Sequence, residues 1–226
     1  MRFTAPVNTH FIKLRCLPCV NACQRIVREE LIIHPQLSTL ESKDAFGNRI
    51  IVGSSLDPHD SLAYISSGIV ELDEYRIPDT DVPMFYLTAT ERTRATKEMT
   101  ELPFTPTGNK LYDAQNLCQM VFEYMTYETA STDINTTAAQ AFANRKGVCQ
   151  DYAHILIALC RHYGIHARYA NGFIVGEGAT HAWVEVFADN CWHAFDPTHG
   201  WAIIDYGYIK LAHGRDAADC PVSRGT

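Results

Sequence analysis

One of the eight cysteines in this 226-residue chain has the setting of a nucleophile. Cys149 follows Gly147-Val148 and opens a stretch, Cys149 to Tyr163, whose apolar residues recur at helical spacing. A cysteine in the first turn of a helix meets unpaired amide N–H groups and the positive end of the macrodipole, which favour the thiolate. Thiols so placed commonly have pKa values lowered to roughly 3.5–7.5, so an attacking sulfur is available at neutral pH. The same turn offers a backbone N–H to a developing oxyanion. Position alone fits equally well a buried cysteine that fills the helix start.

Two further groups give Cys149 company. His181 follows the polar loop Gly176-Glu177-Gly178-Ala179-Thr180 and opens the strand pattern His181 to Phe187, so it stands at a strand mouth and faces a cleft. A second strand, Cys191 to Phe195, follows closely. If Asp189-Asn190 or Ala188-Asp189 makes a two-residue turn, paired positions sum to an odd number. His181 and Asp196 then project from the same face, opposite each other or on a diagonal. Asp196, just before Pro197, is placed to orient the imidazole and stabilise its cation. Nucleophile, base and orienter together have the logic of an acyl-transfer triad.

The elements that must position these groups divide the chain. The first part reads as β. Ile12, Leu14 and Cys16 alternate with Lys13 and Arg15; Gln24 to Ile33 is apolar-rich; Asp44 to Asn48 signals a turn before Ile50-Ile51-Val52. Leu62 to Leu72 adds one or two strands around Ser66-Ser67-Gly68. Prolines recur from Ile77 to Pro106, a connection holding one short helix around Glu91 to Met99. A helix is expected over Leu111 to Met125, and another from Thr137, where Thr137-Ala138-Ala139-Gln140 fits a capping box. Gly147 is expected to stop that helix in a left-handed conformation, and Gly164 the one after it. The expected buried face of the Cys149 helix carries Tyr152, Ala153, Leu156, Leu159, Cys160 and Tyr163. Strands follow at Ala167 to Ile174, His181 to Phe187 and Cys191 to Phe195. This gives a β-rich N-terminal domain over 1–76, a linker over 77–106 and a catalytic core over 107–226.

Composition narrows the function. The chain is 46% hydrophobic and 20% charged, which excludes disordered, collagen-like and coiled-coil classes. No apolar run approaches a membrane span. Met1 to Arg15 lacks the pattern of a secretory signal, so a cytoplasmic location and reduced thiols are expected. A net charge of −7 without a Lys/Arg-rich run argues against nucleic acid as a partner. Cys16, Cys19 and Cys23 form a cluster, but no second Cys-x-x-Cys completes a zinc set, so no metal and no cofactor are assigned. Cys118, Cys160 and Cys191 fit packed positions.

Several blocks of residues resemble the transglutaminase-like superfamily of cysteine enzymes, in particular bacterial members regarded as candidate cysteine proteases. The blocks are Gly147-Val148-Cys149-Gln150-Asp151-Tyr152-Ala153-His154, Gly164 to Tyr169, Asn171-Gly172-Phe173, His181 to Val186, Phe195-Asp196-Pro197-Thr198 and Gly214-Arg215-Asp216. The first 75 residues resemble the β-rich region that precedes this core in bacterial members. The resemblance implies an α+β, papain-like core behind a small antiparallel β-sandwich-like domain. The family's catalytic Cys, His and Asp fall on Cys149, His181 and Asp196. His166 stands where the family usually has proline, and His199 where asparagine is common. Relatives usually continue past the position of Thr226 with a final strand region.

The expected chemistry is attack on an amide carbonyl of a protein, peptide or other amide substrate, giving a thioester resolved by water or by an amine. The resemblance favours hydrolysis; calcium-dependent cross-linking lacks an EF-hand-like loop. Another Cys-His-Asp acyltransferase, of the arylamine N-acetyltransferase kind, a non-catalytic binding module and a metal or redox protein built on Cys16 and Cys19 are the rival classes. Around the triad, Gln150 and Tyr127 are candidates to complete the oxyanion hole. Asp151 and His154, three apart, are expected to share a face and support the site by hydrogen bonds. Trp183 either walls the cleft or fills the core, and Glu185 is expected to pair with Arg168. The sequence sets no oligomeric state.

Overall fold

The computed structural model describes residues 2–204 and 207–225. Its centre is a helix wrapped by a sheet. Among the described residues four α-helices occur: α1 (Lys97–Thr100), α2 (Lys110–Tyr124), α3 (Ala138–Asn144) and α4 (Cys149–His162). None is long and apolar enough to cross a membrane. An antiparallel sheet runs Trp201–Ile203, Cys191–Asp196, Thr180–Ala188, Ala167–Ile174, Tyr208–Gly214, with Arg76–Pro78 also pairing along Cys191–Asp196.

Residues Asp151 to Arg161 of α4 are all buried, not one face alone as the spacing predicts. The helix lies between the sheet and the helices α2 and α3, and a helix apolar nearly all round is the form a core helix takes. Facing it, the sheet presents Ala182, Val184, Val186 and Phe195. The opposite sheet face carries a second core of Trp183, Ala170, Ala194 and Tyr208, closed by Tyr75.

The turn chemistry explains the boundaries. Thr137 and Gln140 make the expected capping box. Gly164 is left-handed, at φ 72°, and ends α4 as expected. Gly147 does not stop α3; Arg145 takes the left-handed position, at φ 54°. Gly147 is needed for a different reason: a Cβ there would lie 2.6 Å from the Asp151 carboxylate. The short helix falls at Lys97–Thr100, later than expected, because Thr96 supplies its cap. Asp189 and Asn190, at φ 50° and 59°, form the two-residue turn that sets the register Val184↔Phe195.

The N-terminal region is β throughout. His10–Leu14 pairs with Arg49–Ser55, which pairs with Ser38–Lys43. Ile12, Leu14 and Cys16 are buried with Leu17, Ile51 and Leu62, as the alternation predicts. Gln24–His34 and Ala63–Leu72 form a long two-stranded ribbon. Ser66-Ser67-Gly68 lies inside that ribbon instead of turning: Gly68 pairs with Glu29, close to a break in register between Ile26 and Arg28, and a Cβ on it would sit 2.3 Å from the Arg28 carbonyl oxygen. Ser223–Gly225 adds to this region by pairing with His10–Leu14.

Candidate active site

Helix α4 begins at the reactive position. Val148 is its extended N-cap, and the Asp151 carboxylate reaches back to accept the Val148 N–H at 2.8 Å. Thr132 Oγ1 donates to the same oxygen at 2.6 Å. Burial raises the Asp151 pKa despite these bonds. The Cys149 thiol is half-buried in the first turn.

Beside it stands His181, in hydrogen-bonding reach of the Cys149 thiol. The far ring nitrogen, Nε2, lies 2.8 Å from Asp196 Oδ2. Register explains the meeting: with Val184 opposite Phe195, His181 and Asp196 are diagonal neighbours on one face. Burial disfavours the imidazolium, but hydrogen bonds and charge from Asp196, and then from Cys149, outweigh it and raise His181 to about 10. Burial likewise disfavours the Asp196 carboxylate, yet His181, His199 and Tyr208 bring it down to about 2.

Asp196 is crowded with donors. Oδ2 also meets the Tyr208 hydroxyl at 2.7 Å and His199 Nδ1 at 2.7 Å, while Oδ1 accepts the Thr198 N–H at 2.9 Å. His199 lies flat on Trp201, ring centroids 4.6 Å apart. Sequence reasoning noted His199 only as a departure and missed Tyr208; a histidine three residues beyond an aspartate was the available signal for the first. His181, Asp196 and His199 are the one group of three metal-type ligands within reach of each other among the described residues. The structure satisfies each of them with a hydrogen bond.

The other expected residues divide. Tyr127 is half-exposed, in a short parallel strand pair with Gly147, and burial raises its pKa. Gln150 turns toward the Asp133 carbonyl. Asp151 and His154 do not converge: His154 is fully buried, accepts the Ala217 N–H at 3.1 Å and is pushed by burial down to about 4. Trp183 fills the second core and donates to the Tyr75 hydroxyl at 3.0 Å. Glu185 pairs with Arg168 as expected, and also with Lys210 at 2.7 Å.

All eight cysteines are free thiols. Burial raises the pKa of Cys16, Cys19, Cys23, Cys118, Cys160 and Cys220, so these six are held as thiols. Cys19 and Cys23 are tied to Asn21, Cys19 Sγ accepting from Nδ2 at 3.2 Å and Cys23 Sγ donating to Oδ1 at 3.1 Å.

Known proteins share the family and the fold. Residues 95–197 match the family model described as Transglutaminase-like superfamily, and residues 1–71 the one described as Bacterial transglutaminase-like N-terminal region. An uncharacterized protein of Mycobacterium tuberculosis is 28% identical over 241 residues, covering 89% of this chain and 76% of its own. One of Mycobacterium leprae is 24% identical over 252 residues, covering 99% of this chain and 88% of its own. The crystal structure named "a Putative Cysteine Protease from Cytophaga hutchinsonii" shares the fold, with a TM-score of 0.79 at 24% identity, over 100% of this chain and 82% of that one.

Proposed function

For a chain that belongs to the transglutaminase-like superfamily, we propose thiol-dependent hydrolysis of an amide bond in a protein or peptide. The observation that carries the reading is the relay from the Cys149 thiol through the His181 ring to Asp196, 2.8 Å beyond it. The description of the Cytophaga protein points the same way.

Cys149 gives its proton to His181, and the thiolate attacks the amide carbonyl carbon. The oxyanion is met by the first-turn N–H of Cys149 and by the Tyr127 hydroxyl, which has no protein hydrogen-bond partner among the described residues and belongs to the strand paired with Gly147, two residues before the thiol. His181 then protonates the departing amine nitrogen as the C–N bond breaks, leaving a thioester. Water, deprotonated by His181, attacks that thioester; the C–S bond breaks and the carboxylic acid leaves. Asp196 keeps the ring oriented and its cation stabilised throughout. A cytoplasmic location belongs to the same reading, since a reducing compartment keeps Cys149 a free thiol.

The test is alkylation near pH 7, read by mass spectrometry at each cysteine. Cys149 is expected to react fastest, because six of the other thiols are raised by burial, and Cys149→Ala to remove the fast phase. A Cys149 that reacts no faster than the rest overturns the nucleophile.

A further inference from the structure

Next to the relay lies a cavity of about 430 Å³ whose wall includes Gln150 and Thr180, the chain neighbours of Cys149 and His181. We infer that this cavity is a subsite for an acidic peptide, holding a carboxylate-bearing side chain beside the amide under attack. The inference rests on Cys149 being the nucleophile and names the substrate class that this site takes.

Charge is the first argument. Among the described residues, the charged ones of the cavity wall are Arg92 and Arg224, with no Asp or Glu beside them. The protein as a whole carries −7, so its general field repels an acidic peptide and this wall is a local exception. Arg92 is held by the Ile134 carbonyl and the Asn135 side-chain oxygen, both neutral, so no carboxylate cancels its charge there. Arg224 makes no ion pair among the described residues; its strand contacts are backbone pairings. Of the carboxylates in the neighbouring turns, Asp133 Oδ1 accepts the Asn135 N–H and Asp216 Oδ1 the Ala218 N–H, and neither pairs with Arg92 or Arg224 among the described residues.

The second argument is an unmet acceptor. Asn171 lines the same cavity and is buried; its Nδ2 donates to the Cys220 carbonyl at 2.7 Å, while its Oδ1 has no partner among the described residues. A buried amide oxygen without a donor is costly, and a peptide backbone N–H is the donor that a substrate brings. Two guanidiniums for a carboxylate and one amide oxygen for an N–H together describe an acidic peptide, because guanidinium–carboxylate contacts are the strong, directional ones. A free inorganic anion would leave Asn171 unmet.

Two measurements test this. Peptidyl acyloxymethyl ketones with Glu, Gln or Lys beside the reactive carbonyl are compared by second-order labelling rate at Cys149. In parallel, Cys149→Ala protein is titrated calorimetrically with the matching unreactive Glu and Lys peptides. The Glu probe is expected to outpace the Lys probe by at least about tenfold, the worth of a charge-assisted contact. Arg224→Glu, whose side chain holds nothing in the fold, is expected to reduce that preference to below about threefold, and added salt to erode it. Equal labelling of Cys149 by all three probes overturns the subsite and leaves the nucleophile standing. Glu-selective binding by Cys149→Ala protein, with no probe labelling Cys149, supports the subsite and sinks the catalytic reading. Equal binding of the Glu and Lys peptides overturns the subsite whatever the labelling shows.

Discussion

Glu185 and Asp196 are both fully buried carboxylates on neighbouring strands of one sheet, and they live in opposite company. Glu185, within its strand, is held by Arg168 and Lys210, with the Tyr75 hydroxyl donating at 2.7 Å. Two of its partners are basic side chains, and that of Arg168 also lies 3.9 Å over the Trp192 ring. Burial opposes its charge, but Arg168 and Lys210 keep it well below the usual carboxylate range. Asp196, at the strand end, is met instead by two imidazoles and a phenol. A carboxylate among cations is placed as a structural clamp; one held by an imidazole beside a thiol is placed for the chemistry proposed above. Burial and a depressed pKa alone do not separate the two, and the partners do.

The contrast can be broken most sharply at Asp196. Asp196→Asn is expected to cut the rate of Cys149 acylation by roughly ten-thousandfold, the scale seen when a triad loses its orienting carboxylate, and to lower the His181 pKa from about 10. Acylation kinetics and imidazole NMR titration measure the two effects. Were the rate unchanged, Asp196 would be a clamp like Glu185.

Glu185→Gln should do the reverse. Leaving Arg168 and Lys210 buried without their counter-ion is expected to cost about 3–5 kcal/mol of stability by urea unfolding, with the acylation rate of the folded fraction unchanged. A rate loss equal to that of Asp196→Asn would erase the distinction.

Next in size is the pH dependence of stability. Asp196 is lowered from 3.8 to about 2, so its contribution is present above pH 3.8 and lost as pH falls toward 2. His181, raised from 6.5 to about 10, contributes fully below pH 6.5 and loses that contribution as pH climbs through 10. Urea midpoints against pH are expected to show both flanks in the unmodified protein. Asp196→Asn should remove the acid flank of this pair and weaken the alkaline one; persistence of both would contradict the coupling.

The smallest effect belongs to His199. His199→Asn leaves His181 and Tyr208 on Asp196 Oδ2, so acylation is expected to slow by only about tenfold, as for other groups that orient a functional residue. Rates equal to those of Asp196→Asn would make His199 a full partner in the relay.

What the sequence displays is what local chemistry decides. The turn at Asp189-Asn190, the capping box at Thr137 and the alternation of Ile12, Leu14 and Cys16 all depend on residues close in the chain, and period and turn chemistry reveal them. From the turn alone, His181 and Asp196 could be placed on one face. What stayed hidden depends on distant partners. Nothing near Glu185 announces Lys210, and nothing near Asp196 announces Tyr208. Arg92 and Arg224 share a wall only because the chain folds back. Gly147 misled because glycine serves two ends: it permits positive φ, but here it makes room for Asp151. Asp151 supports the helix start through Val148 and Thr132, as expected, whereas His154 takes a partner distant in the chain, Ala217.

Arg15 and Pro221, 206 positions apart, are joined by a hydrogen bond where the strand Ser223–Gly225 meets His10–Leu14. Contacts of such range close late in folding, because the long loop between them must be ordered first. Residues 221–224 also form part of the wall of the cavity beside Gln150. The helix start that carries Cys149 is held by contacts close in the chain, whereas this part of the wall is held by a pairing of long range. The wall of that cavity is thus continuous with the N-terminal β region, so a change in the pairing of Ser223–Gly225 with His10–Leu14 reaches the surroundings of Gln150.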